Sequence, residues 1–398
     1  MRPGKWARLL FVAAPLLIGF GAGCGDFWQA PSGGGGGTCT TNCTTATSGN
    51  FYILDAGTSP GIVGASIVSG TLTAITDSPW SIQGTPYSMA IAPNKSFLIV
   101  STTSGVFAFP ITNGELGTAA VVSTDQAYAV QVDATSSWLI EAIPGTGGVT
   151  IGAIPIVSTT GASNGTEQDV SFTVTGAAVQ PNKMAISGDN SNIFLALGAG
   201  GTIVVPFNAA ATTGTNPLGS KASTIPVANA GGSALSVAVD PGTSPRLFYI
   251  GETLADSAGT AGGLRAFNYS SLGSGTLTQA TGSPIVSGGL APNFILPSKS
   301  GSYVYVANGQ GTSAGNVTGF TITASGATYS LATDTSTAAG EQPLGLAEDS
   351  TSTFVFEVGS LGSPYFDAYT FDSTTLGQLD SQITSTTAAS SIAIVAAP

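Results

Sequence analysis

Residues 86–100 read PYSMAIAPNKSFLIV, and residues 292–306 read PNFILPSKSGSYVYV. Each stretch contains an apolar segment, a short polar turn and a second segment rich in aromatic and β-branched side chains, which is the pattern of two paired β-strands. Related units occupy residues 127–140, 181–197, 234–250 and 343–356, and a shorter one occupies residues 390–395. The copies begin roughly 40 to 60 residues apart, the length of one four-stranded propeller blade.

The remaining strands of a blade follow the repeated unit in several copies. After Val100 come Gly105–Ile111 and Ala119–Ser123, and after Val306 come Val317–Ile322 and Tyr329–Thr333. No stretch keeps a helical apolar period for long, and a chain rich in Gly with few charges forms helices poorly. The sequence therefore predicts an all-β fold.

The two ends of the repeat region complement each other. Residues 50–83 contain three strand-like segments without a preceding inner strand, and Ile392–Val395 reads as an inner strand with nothing after it. Pairing the two ends completes one blade and removes an open sheet edge. We predict a β-propeller over residues 50–398, with seven four-stranded blades and closure by the terminal strands. Six or eight blades, or two β-sandwich domains, are the alternatives.

The composition excludes several functions. Three of the nine basic residues precede Cys24, whereas all 21 acidic residues follow it, so the chain from Cys24 onward carries a formal charge of −15. Such a chain repels phosphate backbones, and we expect no nucleic-acid partner. The absence of His removes the usual catalytic base and the commonest transition-metal ligand.

The first 23 residues read as a signal peptide. Arg2, Lys5 and Arg8 precede an apolar run, Leu9–Phe20, that is too short to span a bilayer. Gly21-Ala22-Gly23-Cys24 resembles the bacterial lipobox, which implies cleavage before Cys24, lipidation of its thiol and a stable membrane anchor. Gly25 follows the Cys where Asp would favour inner-membrane retention. We therefore expect an exported, lipid-anchored protein, at the outer membrane rather than the inner, facing the periplasm or the surface.

Residues 24–49 read as a tether. Gly33–Gly37 is a flexible spacer. Cys39 and Cys43 lie four residues apart, and outside the cytoplasm such a pair is most simply a small disulfide loop. No metal site is predicted there, because the chain offers no further free Cys and no His.

The turn sequences Pro-Asn-Lys-Ser and Pro-Ser-Lys-Ser, with Tyr-Val-Tyr-Val-Ala-Asn ending at Asn308, resemble the YVTN-type and lactonase-type seven-bladed propellers of bacteria. The resemblance covers residues 50–398. Members of this family include 6-phosphogluconolactonase-like hydrolases and many exported proteins without known activity. The enzymes are described as using polar and charged residues, His among them, at the channel mouth. This chain has no His, so the resemblance assigns no catalytic residue.

Four carboxylates are the candidate channel or ligand residues. Glu141 and Glu357 occupy a register of the second strand where other copies carry Val or Ile, which points to a polar channel or cation site, or else to a solvent-facing blade edge. Asp133 and Asp240 follow the inner strands at matching positions, where an Asp can also cap a turn. Arg246, Arg265 and Lys299 are rare cations that could hold an anion or pair with an Asp.

These observations predict a binding or scaffold module whose partner is a protein, a glycan or a small molecule, with the chain as a monomer. We expect no organic cofactor. A bound divalent cation such as Ca²⁺ is the one exception that the sequence leaves open. The alternative is a lactonase-like hydrolase that opens a sugar lactone with channel carboxylates. A structural surface-layer or adhesion element is the third candidate.

Overall fold

The computed structural model describes residues 47–397 except 175–178, 213, 256–257, 311–312, 341, 362, 373–374, 376, 386–387 and 389. These residues form seven antiparallel sheets of four or five strands. The inner strands of neighbouring sheets contact one another in a closed ring. The predicted all-β propeller with seven blades is confirmed. Cys24, Cys39 and Cys43 lie outside the described residues, so lipidation and the disulfide stay predictions.

The strands follow the chain order blade by blade. Blade 1 contains β1 (Phe51–Asp55), β2 (Gly61–Val68), β3 (Thr71–Ala74) and β4 (Trp80–Ser81), together with the last strand of the chain, β30 (Ser391–Ala396). Blade 2 contains β5 (Pro86–Ile91), β6 (Phe97–Thr102), β7 (Gly105–Thr112), β8 (Glu115–Leu116) and β9 (Ala120–Ser123). Blade 3 contains β10 (Ala129–Val132), β11 (Trp138–Gly145), β12 (Gly148–Pro155) and β13 (Gln168–Thr173).

Blade 4 contains β14 (Met184–Ile186), β15 (Asn192–Ala196), β16 (Thr202–Pro206) and β17 (Ser223–Ile225). Blade 5 contains β18 (Ala234–Val239), β19 (Leu247–Glu252), β20 (Gly263–Asn268) and β21 (Ile285–Val286), with a 3₁₀ turn at Tyr269–Ser271. Blade 6 contains β22 (Ala291–Pro297), β23 (Tyr303–Gln310), β24 (Ser313–Ser325) and β25 (Thr328–Ala338). Blade 7 contains β26 (Pro343–Glu348), β27 (Phe354–Gly359), β28 (Phe366–Phe371) and β29 (Leu379–Ser385).

The second strand of a blade is buried on both faces. Every residue of β6 and of β27 is buried. The apolar clusters join neighbouring blades: one includes Tyr249 of blade 5 and Val306 of blade 6. A strand covered on both sides reads as a continuous apolar run rather than an alternating one, which is why these strands stand out in the sequence.

The first and last strands of the propeller pair as predicted. Strand β30 runs antiparallel to β1, with Phe51 opposite Ala396, Ile53 opposite Ile394 and a bulge near Asp55. The blade order is β3-β2-β1-β30, so the C-terminal strand supplies the inner position that the N-terminal segment lacks. The ring therefore depends on a contact between the two ends of the domain.

Within the described part of the chain, no helix is long and apolar enough to cross a membrane.

We expect truncation before Ser391 to open the ring, because β1 and the inner face of blade 1 lose their cover. Removing residues 391–398 should lower the Tm strongly and promote aggregation, measured by differential scanning fluorimetry and size-exclusion chromatography. A synthetic peptide of residues 390–397 should restore the Tm in part by adding back the strand. An unchanged Tm in the truncated protein would contradict closure by β30.

Candidate functional site

A cavity of about 300 Å³ lies in the central channel. The inner strands of all seven blades line it, namely β5, β10, β14, β18, β22, β26 and β30. Most of the lining is apolar, with Met89, Val130 and Leu346 among the wall residues. A largely apolar cavity with a few polar groups is typical of small-molecule sites.

Three lysines provide the positive charge of this cavity: Lys95, Lys183 and Lys299. They are half of the six basic residues that follow Cys24. The two salt bridges among the described residues are Arg246–Asp240 and Arg265–Glu252. None of the channel lysines therefore belongs to a salt bridge in the described structure.

Lys95 and Lys299 lie in turns that follow inner strands, at one end of the channel. The Nζ of Lys95 donates to the carbonyl of Ala396 at 3.2 Å, and the Nζ of Lys299 donates to the carbonyl of Asp349. Burial and the charge of Lys299 lower the pKa of Lys95. The Glu348 carboxylate also lines the cavity and accepts the backbone N–H of Lys299 at 2.7 Å.

Lys183 lies just before β14, deeper in the channel. Its Nζ is 5.5 Å from the centroid of the Phe294 ring, and no hydrogen bond from this Nζ is present among the described residues. Burial lowers the pKa of Lys183 to about 8. Lys183 is half-buried, and an ammonium that is partly removed from water without a counter-ion is unfavourable, so an anion beside it would be stabilised.

The other mouth of the channel is aromatic and amide-rich. Tyr87 lies at the start of β5, and Tyr128 directly precedes β10. The two rings stack with their centroids 4.5 Å apart. With Asn182 and Asn293 they line a second cavity of about 400 Å³. Lys183 lines both cavities and therefore lies where the two meet.

The four predicted carboxylates do not line the channel cavity. Glu141 and Glu357 are fully buried inside their blades, and Asp133 and Asp240 lie in turns. None of the four therefore lines this cavity, because the inner strands separate the second strands, which carry Glu141 and Glu357, from the channel. Whether they bind a ligand stays a prediction.

Asp133 and Asp240 organise the turns that follow inner strands. Oδ1 of Asp133 accepts the backbone N–H groups of Ser137 and Trp138 at 2.7 and 2.6 Å. Asp240 accepts the Tyr249 hydroxyl at 2.8 Å and pairs with Nε of Arg246 at 3.0 Å. The Asp133 contacts cap the turn, and Asp240 does the same where its Oδ2 accepts the backbone N–H of Leu247 at 3.3 Å.

Glu357 faces a second carboxylate. It lies opposite Asp367 on the neighbouring strand, and both side chains are buried. No donor among the described residues reaches either oxygen of Glu357 or Oδ1 of Asp367. Burial and the Asp367 charge raise the pKa of Glu357 well above its usual value, and burial raises the pKa of Asp367 to about 7. Burial and the closeness of the two carboxyl groups therefore disfavour ionisation of both at once.

Glu141 lies in a comparable cluster in blade 3. It is opposite Val130 on β10 and Gly152 on β12, and one oxygen accepts the Ser123 hydroxyl at 3.2 Å. Burial and the neighbouring Glu167 raise the pKa of Glu141 to about 9, and burial raises the pKa of Glu167 to about 7.

Sequence reasoning missed Lys183 and Lys95 as channel residues. Lys95 was visible only as a turn residue of the repeated unit, and Lys183 follows Pro181-Asn182 in the irregular copy. The signal available in the sequence was the scarcity of basic residues. Only six follow Cys24, so in so acidic a chain each of them is a candidate for binding an anion.

Comparisons with known proteins support the fold. No family model and no curated protein sequence matches the chain. Among solved structures, a putative 6-phosphogluconolactonase from Bacteroides uniformis is 16% identical, with a TM-score of 0.64, covering 87% of this chain and 98% of its own. A periplasmic gluconolactonase from Pseudomonas aeruginosa is 14% identical, with a TM-score of 0.66, covering 88% and 98%.

A putative 6-phosphogluconolactonase from Bacteroides fragilis is similar at 14% identity and a TM-score of 0.65, covering 88% of this chain and 98% of its own. At these identities the likeness is one of fold. The chain shares its fold with these proteins, and that fold is the seven-bladed β-propeller that the resemblance in its turns predicted.

We expect Glu357→Gln to stabilise the protein at pH 8. The Gln side-chain amide can donate a hydrogen bond to Asp367 and carries no charge. In the parent protein, by contrast, the buried Glu357–Asp367 pair must lose a proton as the pH rises, which leaves charge in a buried place. A raised pKa means that the pair stabilises the fold below pH about 4 and that this stability is lost as the pH rises through about 7. The variant should gain about 1 to 3 kcal/mol at pH 8 in urea unfolding, and less at pH 5.

The exposed Asp77 provides the control, and Asp77→Asn should leave both values unchanged. A Glu357→Gln protein that is less stable than the parent at pH 8 would show that the ionised carboxylate has a partner that the fold requires.

Proposed function

We propose that this propeller is an envelope-anchored binding module whose central channel takes a small anionic molecule, such as a sugar acid or a phosphate ester. The observation that carries the proposal is Lys183, a half-buried ammonium that lines the channel cavity and has no salt bridge among the described residues. A bound carboxylate or phosphate would supply the missing counter-charge.

The charge distribution supports an anion rather than a neutral ligand. The chain from Cys24 onward is strongly acidic, yet three of its six basic residues line one cavity. Arg246 and Arg265 are engaged in salt bridges, and Lys221 is exposed. A channel with low-dielectric walls concentrates the field of such lysines on whatever enters it. The cavity volume suits a small molecule.

The predicted anchor gives the module its setting. A lipidated Cys24 followed by a Gly-rich tether would hold the propeller beside a membrane while leaving both channel mouths open to solvent. A protein or glycan partner bound on a loop face remains compatible with the fold, and the test below separates it from a channel ligand.

Calorimetric titration of the chain from Cys24 onward with gluconate and 6-phosphogluconate tests the proposal. We expect one site per chain, and Lys183→Met should weaken binding at least tenfold. Affinity should also fall as the pH rises above about 8, because Lys183 loses its proton there.

Two controls belong to this titration. Lys221→Met should bind like the parent, because Lys221 does not line the channel cavity. Glucose should not bind, because it is neutral. If neither gluconate nor 6-phosphogluconate produces heat, the channel proposal is overturned, and the search turns to a macromolecular partner.

A lactone hydrolase is the second candidate, favoured by fold neighbours named as gluconolactonases. The carboxylates first expected to act in the channel, Glu141 and Glu357, do not line it, whereas Glu348 does. Lys183 with a pKa of about 8 is partly neutral at slightly alkaline pH and could then accept a proton from water.

Opening of gluconolactone and its 6-phospho form, followed by pH-stat, tests this candidate. A hydrolase should exceed the buffer rate and lose at least tenfold in rate with Lys183→Met or Glu348→Gln. A rate equal to that of buffer, with anion binding intact, would leave a binding module.

A further inference from the structure

Three carboxylates from separate segments meet beside the interface of blades 2 and 3. Asp125 lies in the connection between β9 and β10, Glu141 lies on β11, and Glu167 immediately precedes β13. One oxygen of each lies within 4.8 Å of the others. Ca²⁺ binds oxygens at about 2.3–2.6 Å. Two ligand oxygens on opposite sides of one ion are therefore about twice as far apart, which matches the 4.8 Å limit of this cluster.

Two oxygens of this cluster are buried without a donor. Glu141 is 0% exposed, and its Oε2 accepts no hydrogen bond from any described residue. Oε1 of Glu167 is likewise buried and unsatisfied. Native proteins rarely leave buried acceptors unpaired, because each one costs its full desolvation penalty. Neither salt bridge of the described chain reaches these groups.

The backbone makes room for the carboxylates to converge. Gly152 lies opposite Glu141 on β12, and a Cβ atom there would overlap Oε1 of Glu167 and lie 3.1 Å from Cγ of Glu141. The same point is 3.1 Å from Oδ1 of Asp169. A side chain at this position would occupy the space between the acids.

The remaining polar neighbour is also an oxygen. The Ser123 hydroxyl lies 3.2 Å from Oε1 of Glu141 and 3.4 Å from Oδ2 of Asp125. A set built only of carboxylate and hydroxyl oxygens, without nitrogen or sulfur, suits a hard cation.

We propose that Asp125, Glu141 and Glu167 bind one Ca²⁺ ion, with Ser123 and Asp169 beside it. The ion would join the segment leaving blade 2 to β11 and to the segment before β13 in blade 3, and it would neutralise three acids that the fold packs together. This site is separate from the channel cavity, so it stands or falls independently of the proposed anion binding.

The chain contains an internal comparison. Glu357 occupies the same register in blade 7 and also faces a buried carboxylate, Asp367. Only the blade 3 cluster has three acids within reach of one ion in the described structure. The pair in blade 7 can share a proton, whereas the blade 3 cluster has enough ligands to hold a cation.

Titration of the EDTA-treated chain from Cys24 onward with CaCl₂ tests this site. We expect one Ca²⁺ per chain, a rise in Tm with Ca²⁺, and a weaker response to Mg²⁺, which demands a smaller octahedral site. Because burial raises the pKa of Glu141 and of Glu167, binding should also release protons in weakly buffered solution.

Three variants make the test specific. Glu141→Gln should weaken Ca²⁺ binding at least tenfold, and Glu357→Gln should leave it unchanged. Asp125→Asn alters a less buried ligand, so it should keep the Tm measured in EDTA while losing most of the Ca²⁺-dependent rise.

The proposal is overturned if Ca²⁺ produces neither heat nor a Tm shift in the parent protein. It is equally overturned if Asp125→Asn and Glu141→Gln bind Ca²⁺ as the parent does. The first result would assign the cluster to proton sharing alone, as in blade 7.

Discussion

The antiparallel pairing of β1 with β30 is the contact on which the rest of the molecule depends. Without it, blade 1 has no inner strand, and the ring of inner strands has a gap where Ala393 to Ala396 now line the channel. The pairing also connects the two sides of one apolar core, in which Phe51 packs against Phe356 and Phe366 of blade 7. Closure therefore fixes the sheet edges, the last inter-blade core and the channel wall together.

The ring explains why so acidic a chain can hold lysines close together. Lys95, Lys183 and Lys299 come from blades 2, 4 and 6 and are far apart in sequence. Seven inner strands around one axis bring them to a single cavity, where the carbonyls of Ala396 and Asp349 accept two of the ammonium groups. The third ammonium lies over the Phe294 ring. The positive potential of the channel is thus a product of the tertiary structure.

The buried carboxylates reflect a different consequence of the same architecture. The second strand of each blade is covered on both faces, so an acid on that strand has no route to solvent. Burial favours the protonated form or a bound cation. Glu357 has one acidic neighbour and can share a proton with it, whereas Glu141 has several acidic oxygens around it and Gly152 leaves them space.

The sequence by itself predicted the propeller and its closure by the terminal strands, and it favoured seven blades over six or eight. Those features follow from local signals: continuous apolar runs, turn residues, and an inner strand missing at one end and present at the other. It also identified Glu141 and Glu357 as unusual, because an acid in an apolar register is visible without coordinates. Asp133 and Asp240 were visible too, with turn capping as one of two interpretations, and the structure shows backbone N–H groups capped by both.

Only the tertiary structure decided what these residues face. A register on a strand does not show whether a side chain points to the axis or to the next blade, because that depends on how the sheets pack around the ring. For the same reason the convergence of the three lysines and of Asp125, Glu141 and Glu167 could not be foreseen. The lysines become neighbours only when the blades close into a circle, and the acids only when blades 2 and 3 pack side by side.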